Sequence, residues 1–104
     1  MYTTIASETP EVGMGVTMVV GSDCYPYSII AVRSANRIVV QADDYRAARV
    51  HNYGEDVPYE YTANPQGSTQ LLSLRKDGYW RGIGVENYPS FRIGKRRYYR
   101  DPHI

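Results

Sequence analysis

Short runs of β-branched and aromatic residues, each closed by a turn signal, are the feature that most constrains how this chain can fold. Apolar residues nowhere repeat at helical spacing over three turns. Two connections carry strong turn chemistry, Asn64-Pro65-Gln66-Gly67 and Lys76-Asp77-Gly78. The strands predicted from the runs are 15–20, 27–33, 37–42, 57–63, 69–75, 79–84 and 91–99. Six to seven short antiparallel strands predict an all-β fold, a small SH3-like barrel.

The length of 104 residues is that of one domain. We assign residues 13–104 to the barrel and residues 1–12 to a flexible N-terminal arm, because the first residues are polar and have little to bury. Residues 43–56 leave two possibilities open, one helical turn around the sequence RAAR or a polar hairpin tip.

The cysteine content and the N-terminus indicate a cytoplasmic protein. Cys24 is the only cysteine, so no disulfide can form within the chain, which is typical of intracellular proteins. The first residues lack the basic and apolar regions of a signal peptide, and no apolar run approaches the roughly 18 residues of a membrane span.

Residues suited to catalysis or metal binding are sparse. His51 and His103 are the only histidines, and together with Cys24 they show no recognised ligand spacing. The glycine pairs at 13–15 and 82–84 lack the context of a dinucleotide-binding loop and are better explained as bends at barrel corners. We therefore expect a protein that is not an enzyme and that has no metal and no cofactor.

Charge is divided unevenly along the chain. Residues 1–69 contain four basic and eight acidic side chains, and residues 70–104 contain eight basic and three acidic ones. This division is typical of an anion-binding part or of complementary faces that meet between subunits. Pairing of strands from the two halves would instead interleave the charges. Eleven tyrosines against one phenylalanine add rings that keep a polar end at water or at a partner.

The basic C-terminal segment is the strongest candidate for ligand binding. In an extended chain Lys95, Arg97 and Tyr99 share one face, and the other face contains Arg96, Tyr98 and Arg100. The segment is either an edge strand that its charges protect from aggregation or a phosphate clamp. The clamp residues would be Arg92, Arg96 and Arg97. In the clamp interpretation, replacing Arg96 or Arg97 with alanine weakens binding and leaves melting nearly unchanged.

Two other segments offer candidate residues. Trp80 either closes one end of the core or forms a stacking platform flanked by Arg75 and Arg81. A predicted polar loop between the first two strands contains Asp23 and Tyr27. Asp23 there either caps a turn or accepts a hydrogen bond from a ribose hydroxyl, and Tyr27 would offer a ring face.

Three stretches carry a resemblance that spans residues 13–104. They are GVTMVVGSDCYPYSIIAV followed by NRIVVQAD, then YTANPQGSTQLLSLRKDGYWRGIG, and the ending RIGKRRYYRDPHI. Together they resemble a group of small β-rich proteins encoded in phage and prophage genomes. The polar or aromatic markers of that pattern fall on Asp23, Arg75, Trp80, Tyr99 and Asp101. Some small phage proteins of this build act as sponges that bind nucleotide immune signals without cleaving them, so the resemblance implies a bacterial host and a role against host defence.

Together these features lead to the expectation of a non-catalytic, homo-oligomeric protein that sequesters a phosphate-bearing nucleotide. Arginines would hold the phosphates, and tyrosine or tryptophan would stack on the base. The expected ligand-binding residues are Asp23, Tyr27, Arg75, Trp80, Arg92, Arg96, Arg97 and Tyr99. The alternatives are a barrel that binds single-stranded nucleic acid, or a phage structural or assembly protein.

Overall fold

The computed structural model describes residues 9–47, 59–85 and 89–99. Within these ranges the strands are β1 (Gly15–Val20), β2 (Asp23–Ser34), β3 (Arg37–Ala42), β4 (Asp44–Ala47), β5 (Tyr59–Thr62), β6 (Thr69–Leu74), β7 (Trp80–Gly82) and β8 (Ser90–Ile93). Six of them form a closed antiparallel barrel in the order β1-β2-β3-β6-β7-β8, in which β8 pairs back with β1. The all-β prediction of a small barrel is therefore confirmed. Over the same ranges, no helix is long and apolar enough to cross a membrane.

The barrel core follows from side-chain alternation along the strands. Residues such as Ile38 and Val40 on β3 point inward, while Val39 between them points outward. Tyr27 on β2 contacts Phe91 on β8 edge to face, with ring centroids 5.4 Å apart. The buried core residues are Val16, Tyr27, Ile29, Ile38, Val40, Leu72, Trp80 and Phe91. Trp80 therefore lies in the core, with 4% of its surface exposed.

Two predicted boundaries were wrong. The predicted polar loop that contains Asp23 and Tyr27 is part of β2, because inward-facing tyrosines extend the strand pattern back to Asp23. The predicted strand at 91–99 ends at Ile93, because Gly94 takes a φ of 108° that turns the chain away from the sheet. The remaining barrel strands lie within one or two residues of their predicted bounds.

The undecided segment at 43–56 contributes β4, which forms a separate two-stranded sheet with β5. This excludes a helix at Asp44–Ala47, and residues 48–56, including His51, lie outside the described residues. His103 and Asp101 also lie outside them.

Strands from the acidic and basic parts of the sequence pair with each other. β1 pairs with β8, and β3 pairs with β6. The ion pair between Arg96 and Asp43 also joins the two parts. The charges thus interleave, but the arginines of β3, β7 and β8, and Arg75 directly after β6, still lie on one outer surface.

Candidate functional site

The strand register brings arginine and serine side chains into one row on the outer surface of the barrel. Arg37 on β3 pairs with Ser73 on β6, and Ser73 pairs with Arg81 on β7. Arg81 in turn pairs with Ser90 on β8. These positions alternate with inward core residues such as Ile38 and Leu72, so they face outward.

A second row lies beside the first, two residues further along each strand. The Arg75 backbone N–H donates to the Tyr79 carbonyl at 2.9 Å, which places the two residues opposite each other at the start of the β6–β7 turn. Tyr79 in turn lies next to Arg92 of β8, whose guanidinium carbon is 5.6 Å from the Tyr79 ring centroid. The Arg81 guanidinium lies at the same distance from that ring. Tyr79 therefore orients two arginines by cation–π contact.

We call this surface the arginine face; its members are Arg37, Ser73, Arg75, Lys76, Tyr79, Arg81, Ser90 and Arg92. Among the described residues, Arg37, Lys76 and Arg92 have no carboxylate partner. Arg75 donates to the Ser73 hydroxyl at 3.0 Å and the Gly82 carbonyl at 2.6 Å, and these neutral acceptors leave its charge uncompensated.

Asp77 is the carboxylate of this surface within the described part of the chain. It forms an ion pair with Arg81 at 2.9 Å and accepts the Tyr79 backbone N–H at 3.1 Å. The N–H donated by Tyr79 and the Arg81 guanidinium lower the pKa of the Asp77 carboxyl below its ordinary value. One carboxylate against five cations leaves a positive surface that is suited to phosphate.

The segment at 95–99, which we call the strap, crosses the outer side of β1 and β2. The Thr17 hydroxyl donates to the Lys95 carbonyl at 2.6 Å. The backbones of Cys24 and Tyr99 hydrogen-bond to each other as an isolated antiparallel β-bridge. Exposed Lys95, Arg97 and Tyr99 alternate with half-buried side chains at positions 96 and 98. This is the division into two faces that the sequence predicts, although the segment is not a strand of the barrel.

The inner face of the strap holds Arg96 in an internal network. Its Nε donates to Asp43 Oδ2 at 2.8 Å, and its Nη2 donates to the Ser28 hydroxyl at 2.8 Å and the Gly13 carbonyl at 3.1 Å. Ser28 donates to the other Asp43 oxygen at 2.7 Å. The Asp43 side chain is 2% exposed. The Arg96 side chain therefore stabilises the fold. The expectation that replacing Arg96 with alanine leaves the melting temperature of the protein nearly unchanged no longer follows.

The same strap fixes the β4–β5 hairpin to the barrel through tyrosines. Tyr98 stacks on Tyr45 with ring centroids 3.9 Å apart, and its backbone N–H donates to the Tyr61 hydroxyl at 2.9 Å. A cleft of about 180 Å³ lies beside this cluster. It is lined by Met18, Tyr25, Pro26, Tyr27, Ala42, Asp43 and Tyr45.

Five of the eight residues expected to bind ligand lie in three places on the outer side of the protein. Arg75 and Arg92 lie on the arginine face. Arg97 and Tyr99 lie on the outer side of the strap, where the Arg97 guanidinium is 5.5 Å from the Tyr99 ring centroid. Asp23, at the start of β2, accepts a long hydrogen bond from the Tyr25 hydroxyl at 3.5 Å, close to the Tyr99 end of the strap.

The remaining three expected residues are not placed on an open surface. Tyr27 and Trp80 belong to the core, and Arg96 lies on the inner face of the strap, where it is bonded to Asp43. Its neighbour Tyr79 lies directly before β7 and is 37% exposed, on the side of the chain opposite to Trp80.

Sequence reasoning missed Arg37 and Tyr79. Position 37 opens a predicted strand directly before inward Ile38, so the alternation alone marks it as outward. Its proximity to Ser73 and Arg81, however, depends on the pairing of β3 with β6 across an intervening hairpin.

No protein-family description matches this chain, and neither the curated proteins nor the solved structures include a significant match. The resemblance to phage proteins therefore stays a prediction. Within the described residues, no group of three or more His, Cys, Asp or Glu side chains is placed to hold a metal ion.

Proposed function

We propose that this protein is a non-catalytic binding protein for a phosphate-bearing nucleotide ligand, and that the ligand is single-stranded nucleic acid. The observation that carries the proposal is the arginine face. Cations from three barrel strands and the β6–β7 turn share this surface with the exposed Tyr79, which two of them contact, and with one carboxylate among the described residues there. Arginine forks bind phosphate oxygens, and basic surfaces with aromatic rings track single strands.

The arginine face lies on the outer, convex side of a closed barrel, which favours an extended strand over an enclosed mononucleotide. Small-molecule sites are concave and usually enclose about 300–1,000 Å³. The described cleft measures about 180 Å³, and none of the cations of the arginine face lines it. Neighbouring strands lie about 4.8 Å apart, so the row from Arg37 to Ser90 extends over roughly 14 Å. Such a surface can contact several successive phosphates.

The proposal is tested by fluorescence anisotropy with a labelled 12-nucleotide oligothymidylate at several salt concentrations. The logarithm of the affinity should fall with the logarithm of salt at a slope of about −0.7 per neutralised phosphate. Arg37→Ala and Arg92→Ala should each weaken binding and reduce the magnitude of the slope by about 0.7.

Arg46→Ala is the matched control. Arg46 is an exposed arginine on β4 that pairs with Glu60 at 3.0 Å, away from the arginine face. It should leave both affinity and slope unchanged. No binding by the wild-type protein, or equal losses in the control and in Arg92→Ala, would overturn the proposal.

A second candidate is sequestration of a single nucleotide by a homo-oligomer, as the phage resemblance implies for the cytoplasm of a bacterial host. The specific observation in its favour is the compact row of Arg75, Tyr79 and Arg92, which crosses three adjacent strands over roughly 10 Å. A second copy could cover this row and enclose the ligand. Native mass spectrometry with mononucleotides and cyclic dinucleotides would then detect an adduct on an oligomer, with little dependence on salt. If the protein binds neither single-stranded nucleic acid nor single nucleotides, a role as a phage structural or assembly protein would be favoured.

A further inference from the structure

An exposed apolar row lies directly beside the arginine face. Val39 on β3 pairs with Leu71 on β6, and the Ile83 backbone N–H donates to the Leu71 carbonyl at 3.2 Å. Leu71 is 41% exposed and Ile83 is 48% exposed. We call Val39, Leu71 and Ile83 the apolar ledge.

The ledge is an outer surface with no role in the barrel core. Its neighbours in sequence, Val40, Leu72 and Gly82, are the buried ones. Each ledge residue lies two positions from a member of the first arginine-face row, Arg37, Ser73 or Arg81. Residues two apart on a strand are roughly 6.6 Å apart and point to the same side. A cationic row and an apolar row therefore run side by side across three strands.

We propose that the apolar ledge receives the unstacked bases of the strand whose phosphates bind the arginine face. This inference rests on the proposed function. A ligand that fills both rows must carry anionic groups along one edge and flat apolar groups along the other, and a single strand presents its charges and bases in that way. A duplex buries its base faces by stacking, so the ledge gives the protein a preference for single strands.

The experiment compares two probes of equal charge. One is a 12-nucleotide oligothymidylate, and the other is a 12-unit abasic oligodeoxynucleotide with the same phosphates and no bases. The affinity of each probe is measured by competition at one salt concentration. Four proteins are compared: the wild type, Leu71→Ser/Ile83→Ser, Arg92→Ala and Val20→Ser. Val20 is an exposed valine of β1 outside the ledge and serves as the apolar control.

The expected result is a wild-type preference of at least tenfold for the oligothymidylate over the abasic probe. A tenfold preference corresponds to about 1.4 kcal/mol, which burial of roughly 60 Å² of apolar surface between the bases and the ledge would supply. Leu71→Ser/Ile83→Ser should remove most of that preference and leave abasic binding unchanged. Arg92→Ala should weaken the binding of both probes, and Val20→Ser should weaken the binding of neither.

Equal wild-type affinity for the two probes would overturn the ledge inference and leave the proposed phosphate binding standing. This comparison needs no substitution, so it does not depend on the folding of a variant. Failure of the wild-type protein to bind either probe would overturn the proposed function itself, and the ledge inference with it.

Discussion

Replacement of Arg96 by alanine tests how the strap is held on the barrel. The variant leaves the Asp43 carboxylate, with a side chain only 2% exposed, without its cation. Removing one member of a buried ion pair costs about 3–5 kcal/mol, because the remaining charge stays desolvated. Arg96 itself is 32% exposed, so water can partly replace it, and we expect a loss of about 3 kcal/mol.

Urea unfolding followed by the fluorescence of Trp80, the only tryptophan and a core residue, measures this loss. The midpoint should fall with the slope unchanged. In a thermal scan, the same loss lowers Tm by roughly 12 °C or more. Arg97→Ala is the matched control, because Arg97 is the next residue and faces outward; it should change stability by less than about 0.5 kcal/mol. Equal stabilities of the two variants would refute the reasoning. In double-mutant cycles with Asp43→Ala, Arg96→Ala should show a coupling energy and Arg97→Ala should show none.

Three further predictions follow from the fold and the site. Gly15→Ala should destabilise the protein by about 1–3 kcal/mol in urea unfolding, because a Cβ there would lie 2.7 Å from Arg96 Cγ; a stability equal to wild type would show that the strap gives way freely. Trp80→Ala should cost about 3–5 kcal/mol of unfolding free energy, and a well-folded variant that loses only oligonucleotide binding would contradict its core position. Asp77 should titrate below the ordinary aspartate pKa in a carbon-detected NMR titration, so its contribution to stability is present above the unfolded pKa and is lost as pH falls through the lowered folded value. A midpoint at or above the ordinary value would contradict the contacts of Asp77 with Tyr79 and Arg81.

The strands could be predicted because their pattern is local. Runs such as 15–20 and 37–42 combine β-branched residues with turn signals, and both lie where the alternation places them. The same periodicity of two assigned Lys95 and Arg97 to one side of the strap, although the segment is not part of the barrel. Alternation describes any extended chain, whether or not it has a strand partner.

The composition of the site could be predicted only in part, because it depends on contacts between distant residues. Arg96 seemed as available as Arg97, since nothing near it in the sequence reveals that Asp43, 53 positions away, accepts its guanidinium. The segment that contains Asp23 and Tyr27 was interpreted as a polar loop between two strands, and proline is uncommon inside a sheet. In the structure, Pro26 lies in β2 opposite Thr17, and the strand continues through it.

Binding of single-stranded nucleic acid at the arginine face is tested most directly by an NMR titration of the nitrogen-15-labelled protein with a 12-nucleotide oligothymidylate. If the ligand binds the arginine face, the largest shift changes should fall on the amides of Arg37, Ser73 and Arg81 and on the side-chain Nε–H of Arg92. Asp44 and Thr62 of the β4–β5 hairpin should stay unchanged. Shifts that concentrate on the hairpin or the tyrosine cluster, or no shifts at all, would contradict the assignment of the arginine face as the binding site.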